Sequence, residues 1–238
     1  MIFKRNCVTI FSILFLTFAI TLSYLPNHDP LAVKTNVSAA PRIILDAGHG
    51  GFDGGAVAAD GTVEKNINLE ICLTLKDFLE SYGYNVILTR DSDISTDNIE
   101  SDKIARRKKN DLQNRLELMN EYPDAVFVSI HLNKFTTSAA SGAQVFYSGK
   151  REESAILGGA IQKQIVKLLQ PENTRVNKQA TAGTYLLYNA TVPAVLVECG
   201  FLSNRAELEK LKTTDYQKKI AFCIFCGVNE YFSNSKEI

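Results

Sequence analysis

The chain has 238 residues, of which 45% are hydrophobic, so it is long enough to bury a substantial core in one large domain or two small ones. The chain has 26 basic and 26 acidic residues. This balance argues against a nucleic-acid partner, because proteins that bind nucleic acids usually carry an excess of basic residues. The 5 cysteines are scattered and odd in number, so they do not form the pattern of a disulfide framework.

The N-terminal region predicts export. Lys4 and Arg5 precede an uncharged, largely apolar stretch at residues 7–25. A membrane-spanning helix needs about 20 such residues, whereas the apolar part of a secretory signal has about 7–15. We therefore expect residues 1–25 to form an uncleaved membrane anchor in preference to a cleaved signal, and residues 26–42 to form a polar tether. Either alternative places the rest of the chain outside the cytoplasm, because positive residues stay inside.

Apolar runs and amphipathic segments alternate from Ile43 onwards. The predicted strands are residues 42–46, 84–90, 125–131, 142–148, 183–189 and 193–198. The predicted helices are residues 63–83, 105–122, 152–169 and most of 204–232. Strands that are separated by helices of this length imply crossover connections. The sequence thus predicts an α/β fold, in which a single three-layer domain over residues 43–232 has a mostly parallel sheet covered by helices on both faces.

Three predicted strands end at side chains that can bind a metal or transfer a proton. His49 follows the strand "IILD" within a glycine-rich loop, His131 ends "FVSIH", and Glu198 ends "AVLVE". Sites in open parallel sheets form beyond the carboxyl ends of the strands, so we expect the three side chains to meet at one edge. The third histidine of the chain, His28, lies in the predicted tether.

Two histidines and an acid are a known ligand set for catalytic zinc, which keeps a fourth position for water. Glu64 is the natural third ligand, because it follows the glycine-rich loop and begins the next helix. Glu198 then remains near the metal, free to act on the bound water. The structural alternatives are hydrogen-bonded histidines and a capping or salt-bridged Glu198. A phosphate-binding loop is disfavoured, because "GHGGFDGG" matches neither common glycine motif.

Five segments in this order resemble the zinc-dependent N-acetylmuramoyl-L-alanine amidase family. They are "ILDAGHGGFDGG", "VEKNINLE", "VILTR", "SIHLN" and "VLVECGFLSN". The resemblance covers nearly all of residues 43–232, and the layout is most similar to the germination-specific members from spore-forming bacteria. It implies that His49, Glu64 and His131 bind Zn²⁺ and that Glu198 is the catalytic residue.

The resemblance also implies a substrate and a location. The substrate is peptidoglycan, cleaved at the amide between the lactyl group of N-acetylmuramic acid and L-alanine. In spore cortex this cleavage allows muramic-δ-lactam to form. Leu132 and Lys134 depart from the small residues that the family commonly has beside the second histidine, which affects the expected shape of the substrate groove. Targeting would come from the N-terminal segment at the membrane or from an activating protein partner, since no wall-binding repeat is recognisable.

Two other functions remain open at this point. The same metal would serve another zinc peptidoglycan hydrolase, such as a carboxypeptidase or an endopeptidase. A non-catalytic wall-binding protein could keep the fold, although no expected metal ligand is missing from the sequence.

Overall fold

The computed structural model describes residues 40–234. The predicted anchor at residues 1–25 and most of the predicted tether, residues 26–39, lie outside the described residues. Within the described part, no helix combines the length and the apolar character needed to cross a membrane.

Strands and helices alternate along the described chain. The strands are β1 (Arg42–Ala47), β2 (Asn85–Leu88), β3 (Val126–Asn133), β4 (Gln144–Tyr147), β5 (Lys178–Gln179) and β6 (Ala194–Phe201). The helices are α1 (Glu64–Ser81), α2 (Ile104–Glu121), α3 (Glu152–Leu168), α4 (Tyr185–Asn189), α5 (Arg205–Leu211) and α6 (Thr214–Asn234).

The strands form one sheet in the order β2-β1-β3-β6-β4-β5. Strand β1 pairs in parallel with β2 and β3, and β3 pairs in parallel with β6. Strand β4 runs antiparallel to β6, while the short β5 runs parallel to β4. The prediction of a mostly parallel sheet is confirmed, and its carboxyl edge brings the ends of β1, β3 and β6 side by side.

Helices cover both faces of the sheet, as predicted for three layers. The larger core lies on one face, where α1, α3 and α6 pack on alternate strand residues such as Leu45 and Val128. The smaller core lies on the other face, where α2 and α4 cover Ile44 and Phe127. Strands that are buried on both faces read as continuous apolar runs, which is why β1, β3 and β6 are recognisable in the sequence.

The prediction of a strand over residues 183–189 is wrong. Residues Tyr185–Asn189 form the short helix α4, and the sheet position beyond β4 is taken by the two-residue strand β5. Leu186 and Leu187 are buried in the smaller core, beside Met119. A helical turn can bury two adjacent leucines against a sheet as well as a strand can, and a short apolar run does not distinguish the two.

Candidate metal centre

His49 lies in a tight turn just after β1. Its backbone has φ of +64°, a left-handed conformation that few residues other than glycine adopt. The preceding residue, Gly48, donates its N–H to the carbonyl of Ile130 at 3.1 Å, which ties the turn to β3. A Cβ atom on Gly48 would lie 2.3 Å from the ring of His131. Glycine at this position therefore lets the turn pass directly over the second histidine.

Glu64, the first residue of α1, lies between the two histidines. Its Oε1 is 3.3 Å from Nε2 of His49 and 3.1 Å from Nδ1 of His131. The two imidazole rings meet edge to face, with centroids 4.9 Å apart. One ligand atom from each of the three residues lies within 4.8 Å of the others, so this group could hold a metal ion. The structure thus brings together the three side chains that the sequence selected.

The carboxylate of Glu64 is fixed by donors on both oxygens. Oε2 accepts the backbone N–H of Ala56 at 2.8 Å, and Oε1 accepts that of Leu132 at 3.0 Å. Burial raises the pKa of Glu64, but hydrogen bonds from His131 and His49 outweigh burial and hold it well below its usual range. Glu64 is therefore an oriented anion at neutral pH.

Asp53 is a supporting residue that the sequence did not reveal. Its Oδ2 lies 2.9 Å from Nδ1 of His49, which leaves Nε2 facing Glu64. Burial lowers the pKa of His49, but hydrogen bonds to Asp53 and Glu64 raise it to about 9. A carboxylate on the far nitrogen of a metal-binding histidine sets the ring orientation and its basicity. The only sequence signal is the spacing of four residues within the glycine-rich loop.

Two buried arginines hold the backbone of this turn. Arg90 donates to the carbonyls of Ala47 at 2.8 Å and Gly48 at 3.1 Å. Arg115 donates to the carbonyl of His49 at 2.7 Å. Both side chains bind main-chain oxygens that lie more than 40 residues away in sequence, so no local pattern predicts them. They fix the backbone of the strained turn that carries His49.

Glu198 lies in β6, directly opposite His131 in the strand register. Its Oε2 is buried and makes no hydrogen bond within residues 40–234. Burial raises the pKa of Glu198 to about 7, and the nearby histidines only partly offset this effect. The next residue, Cys199, is a buried thiol whose pKa is raised well above its usual range by desolvation, so it is a poor nucleophile.

The sheet edge, the His–Glu–His group and the buried carboxyl of Glu198 define a candidate metal-assisted hydrolase. The chain belongs to the N-acetylmuramoyl-L-alanine amidase family, whose model matches residues 43–230.

Individual relatives agree with this assignment. The germination-specific N-acetylmuramoyl-L-alanine amidase of Bacillus subtilis is 40% identical over 191 residues, which cover 80% of this chain and 79% of that protein. Among solved structures, the CwlD amidase of Clostridioides difficile in complex with the GerS lipoprotein has a TM-score of 0.79 and 42% identity. That match covers 82% of this chain and 99% of the other. Another N-acetylmuramoyl-L-alanine amidase, from Clostridium difficile 630, has a TM-score of 0.71 and 29% identity over 82% of this chain and 98% of the other.

Proposed function

We propose that this amidase is a zinc enzyme and that His49, Glu64 and His131 are its metal ligands. The supporting observation is that Oε1 of Glu64 lies 3.3 Å and 3.1 Å from one nitrogen of each histidine. In a tetrahedral zinc site with bonds of about 2.0–2.1 Å, neighbouring ligand atoms are roughly 3.3 Å apart. Two imidazoles and a carboxylate are also a donor set that zinc prefers for catalysis.

The substrate bond is the amide between the lactyl group of N-acetylmuramic acid and L-alanine. Zinc held by His49, Glu64 and His131 would supply a Lewis acid for the amide carbonyl and would lower the pKa of water to about 7. Glu198 takes a proton from the attacking water and returns it to the departing alanine nitrogen. Glu198 pairs with His131 across the strands, so its carboxylate can accept a proton beside the metal centre and its acid form can return that proton. Beside a cation the pKa of Glu198 falls again, which favours the carboxylate that accepts the first proton.

The match of the family over residues 43–230 supports this bond over the bonds that a carboxypeptidase or an endopeptidase would cut. The complete His–Glu–His group supports an enzyme over a wall-binding protein that has lost its metal ligands.

We further propose that the enzyme acts outside the cytoplasm on spore cortex, where its product allows muramic-δ-lactam to form. The germination-specific relative in Bacillus subtilis supports this role. The uncharged stretch at residues 7–25 supports export and attachment to the membrane. The complex of the Clostridioides difficile amidase with a lipoprotein supports a protein partner for this chain as well.

The purified protein should expose new amino-terminal alanine when it is incubated with zinc and peptidoglycan. We expect Glu198→Gln to bind zinc normally and to lose roughly 10²–10⁴-fold in turnover, because only the proton carrier is removed. His131→Ala should lose the metal itself. Labelling of new amino termini and elemental analysis of zinc measure the two effects separately.

Full activity of Glu198→Gln would contradict the role of Glu198. A new terminus other than alanine would indicate a peptidase. Zinc bound equally by His131→Ala and the wild type would contradict the ligand assignment.

A further inference from the structure

A row of polar side chains extends from the metal centre across the sheet. His131 in β3 is paired with Glu198 in β6, and Glu198 is paired in turn with Gln144 in β4. Side chains of directly paired residues lie on the same face of a sheet. Since neighbouring strands are about 4.8 Å apart, Gln144 lies roughly 10 Å from His131 along this row.

Arg175 stands at the far end of the row. Its Nη1 donates to Oε1 of Gln144 at 2.9 Å, and its Nε donates to the carbonyl of Ser141 at 2.7 Å. Its guanidinium carbon lies 4.8 Å from the ring centroid of Phe201. Gln144 is itself held, because its Nε2 donates to the carbonyl of Val176 at 3.0 Å. The guanidinium is thus oriented in a fixed plane by neutral groups.

The charge of Arg175 is not neutralised by the described chain. No carboxylate within residues 40–234 forms an ion pair with it, and its Nη2 makes no hydrogen bond there. The side chain is half-buried and borders a cavity of about 690 Å³ that Lys210, Glu172 and Glu207 also line, and the carboxylate of Glu207 is already bound to the backbone N–H groups of Gly142 and Phe201. An oriented guanidinium with an available N–H beside open space is suited to binding a planar anion such as a carboxylate.

We propose that Arg175 binds a carboxylate of the stem peptide and so determines substrate specificity. This inference rests on the amidase function proposed above. The glycan strand of peptidoglycan carries its lactyl carboxyl as the scissile amide, so the free carboxylates lie on the peptide. Two extended residues span roughly 7 Å, and the carboxyl branch of the second residue adds its own length. That reach is comparable to the roughly 10 Å from His131 to Gln144, whose side-chain oxygen Arg175 contacts, so the peptide would cross β6 toward β4.

The test uses two synthetic muramoyl peptides that differ only at the second residue, which carries either a free carboxylate or a carboxamide. The zinc-loaded wild type should cleave the carboxylate substrate with kcat/KM roughly 10- to 100-fold higher, which is the usual effect of a charge-assisted hydrogen bond. Arg175→Gln should lower kcat/KM for the carboxylate substrate to the level of the carboxamide and leave the carboxamide rate nearly unchanged.

Lys178→Gln is the matched control, because Lys178 is an exposed cation on the neighbouring strand β5. We expect it to keep the preference of the wild type. An equal loss of kcat/KM on both substrates in Arg175→Gln would indicate a structural role for Arg175 and overturn the proposal. A wild type that cleaves both substrates equally well would also overturn it. If the zinc-loaded wild type cleaves neither substrate, the proposed amidase function fails, and this inference fails with it.

Discussion

At the scale of single residues, the metal turn depends on a buried ion pair beneath it. Asp46 and Arg115 contact each other with side chains only 1% and 2% exposed, and Arg115 also donates to the carbonyl of His49. Asp46 accepts further hydrogen bonds from Thr89 at 2.8 Å and Ser129 at 2.5 Å. Burial raises the pKa of Asp46, but Arg115 and Ser129 outweigh burial and lower it to about 2. The pair therefore links folding stability to the position of His49, a proposed metal ligand.

Asp46→Asn should destabilise the metal-free protein by about 3–5 kcal/mol at pH 7, because it leaves a buried arginine charge uncompensated. The folded pKa of Asp46, about 2, lies below its unfolded value of 3.8. The ionised carboxylate therefore stabilises the fold above about pH 4, and this contribution, about 2 kcal/mol, is lost as the pH falls toward 2. Urea unfolding in a chelator, at pH 7 and at pH 3, measures both effects.

The control for this prediction is Asp124→Asn. Asp124 pairs with Arg42, but its side chain is 66% exposed. Exposed pairs contribute about 0.2–1 kcal/mol, so this variant should change stability little at either pH. If Asp46→Asn and Asp124→Asn lower the free energy of unfolding equally at pH 7, the buried ion pair stabilises the protein no more than an exposed one.

At the scale of elements, the loop between β1 and α1 brings the ligands together through glycine. Gly55 has φ of +70°, and a Cβ there would lie 2.6 Å from both Oε2 of Glu64 and Cδ2 of His49. Gly61 in the same loop has φ of +88°, but a Cβ there would meet no atom within 4 Å. Gly55 and Gly61 therefore share a left-handed backbone conformation, but only at Gly55 would an added Cβ also crowd Glu64 and His49.

Gly55→Ala should weaken zinc binding at least tenfold, because the new methyl group displaces two ligands at once. Gly61→Ala introduces comparable backbone strain and should retain the zinc affinity of the wild type, with a small loss of stability. Competition with a chromogenic chelator measures both affinities. Should both variants bind zinc equally weakly, the loop would act through its backbone conformation and not through space around the ligands.

The sequence predicts a strand best where the strand is buried on both faces of the sheet. Strands β1, β3 and β6 are buried on both faces, so their apolar runs and the polar residues that end them mark the sheet edge. The helix at Tyr185–Asn189 cannot be distinguished from a strand in the sequence, because a run of five residues is too short to show a helical period. The roles of Asp53, Arg90 and Arg115 are not predictable from the sequence for a different reason. Their partners include distant backbone carbonyls, the carboxylate of Asp46 for Arg115, and the side chains of His49 and Lys108 for Asp53, and only the folded chain brings these groups close.

At the scale of the whole molecule, three helices close the larger core, and one of them begins at Glu64, a proposed metal ligand. Helix α6 packs against both α1 and α3, and α1 begins at Glu64. The approach of α6 to α3 depends on Gly227, where a Cβ would lie 2.4 Å from the Cα of Ile161. A backbone atom cannot move aside as the end of a flexible side chain can. Any residue larger than glycine must therefore push the two helices apart.

Gly227→Ala should lower the free energy of unfolding by about 1–3 kcal/mol, the usual cost of overpacking a core. Gly159→Ala is the opposite case on α3, because a Cβ there would meet only Asn177, at 3.7 Å. Alanine favours helix by up to about 1 kcal/mol over glycine, so Gly159→Ala should be neutral or stabilising. Chemical denaturation measures the free energy of unfolding of both variants. If alanine at Gly227 also stabilises the protein, helix propensity outweighs the close contact, and the helices can separate at little cost.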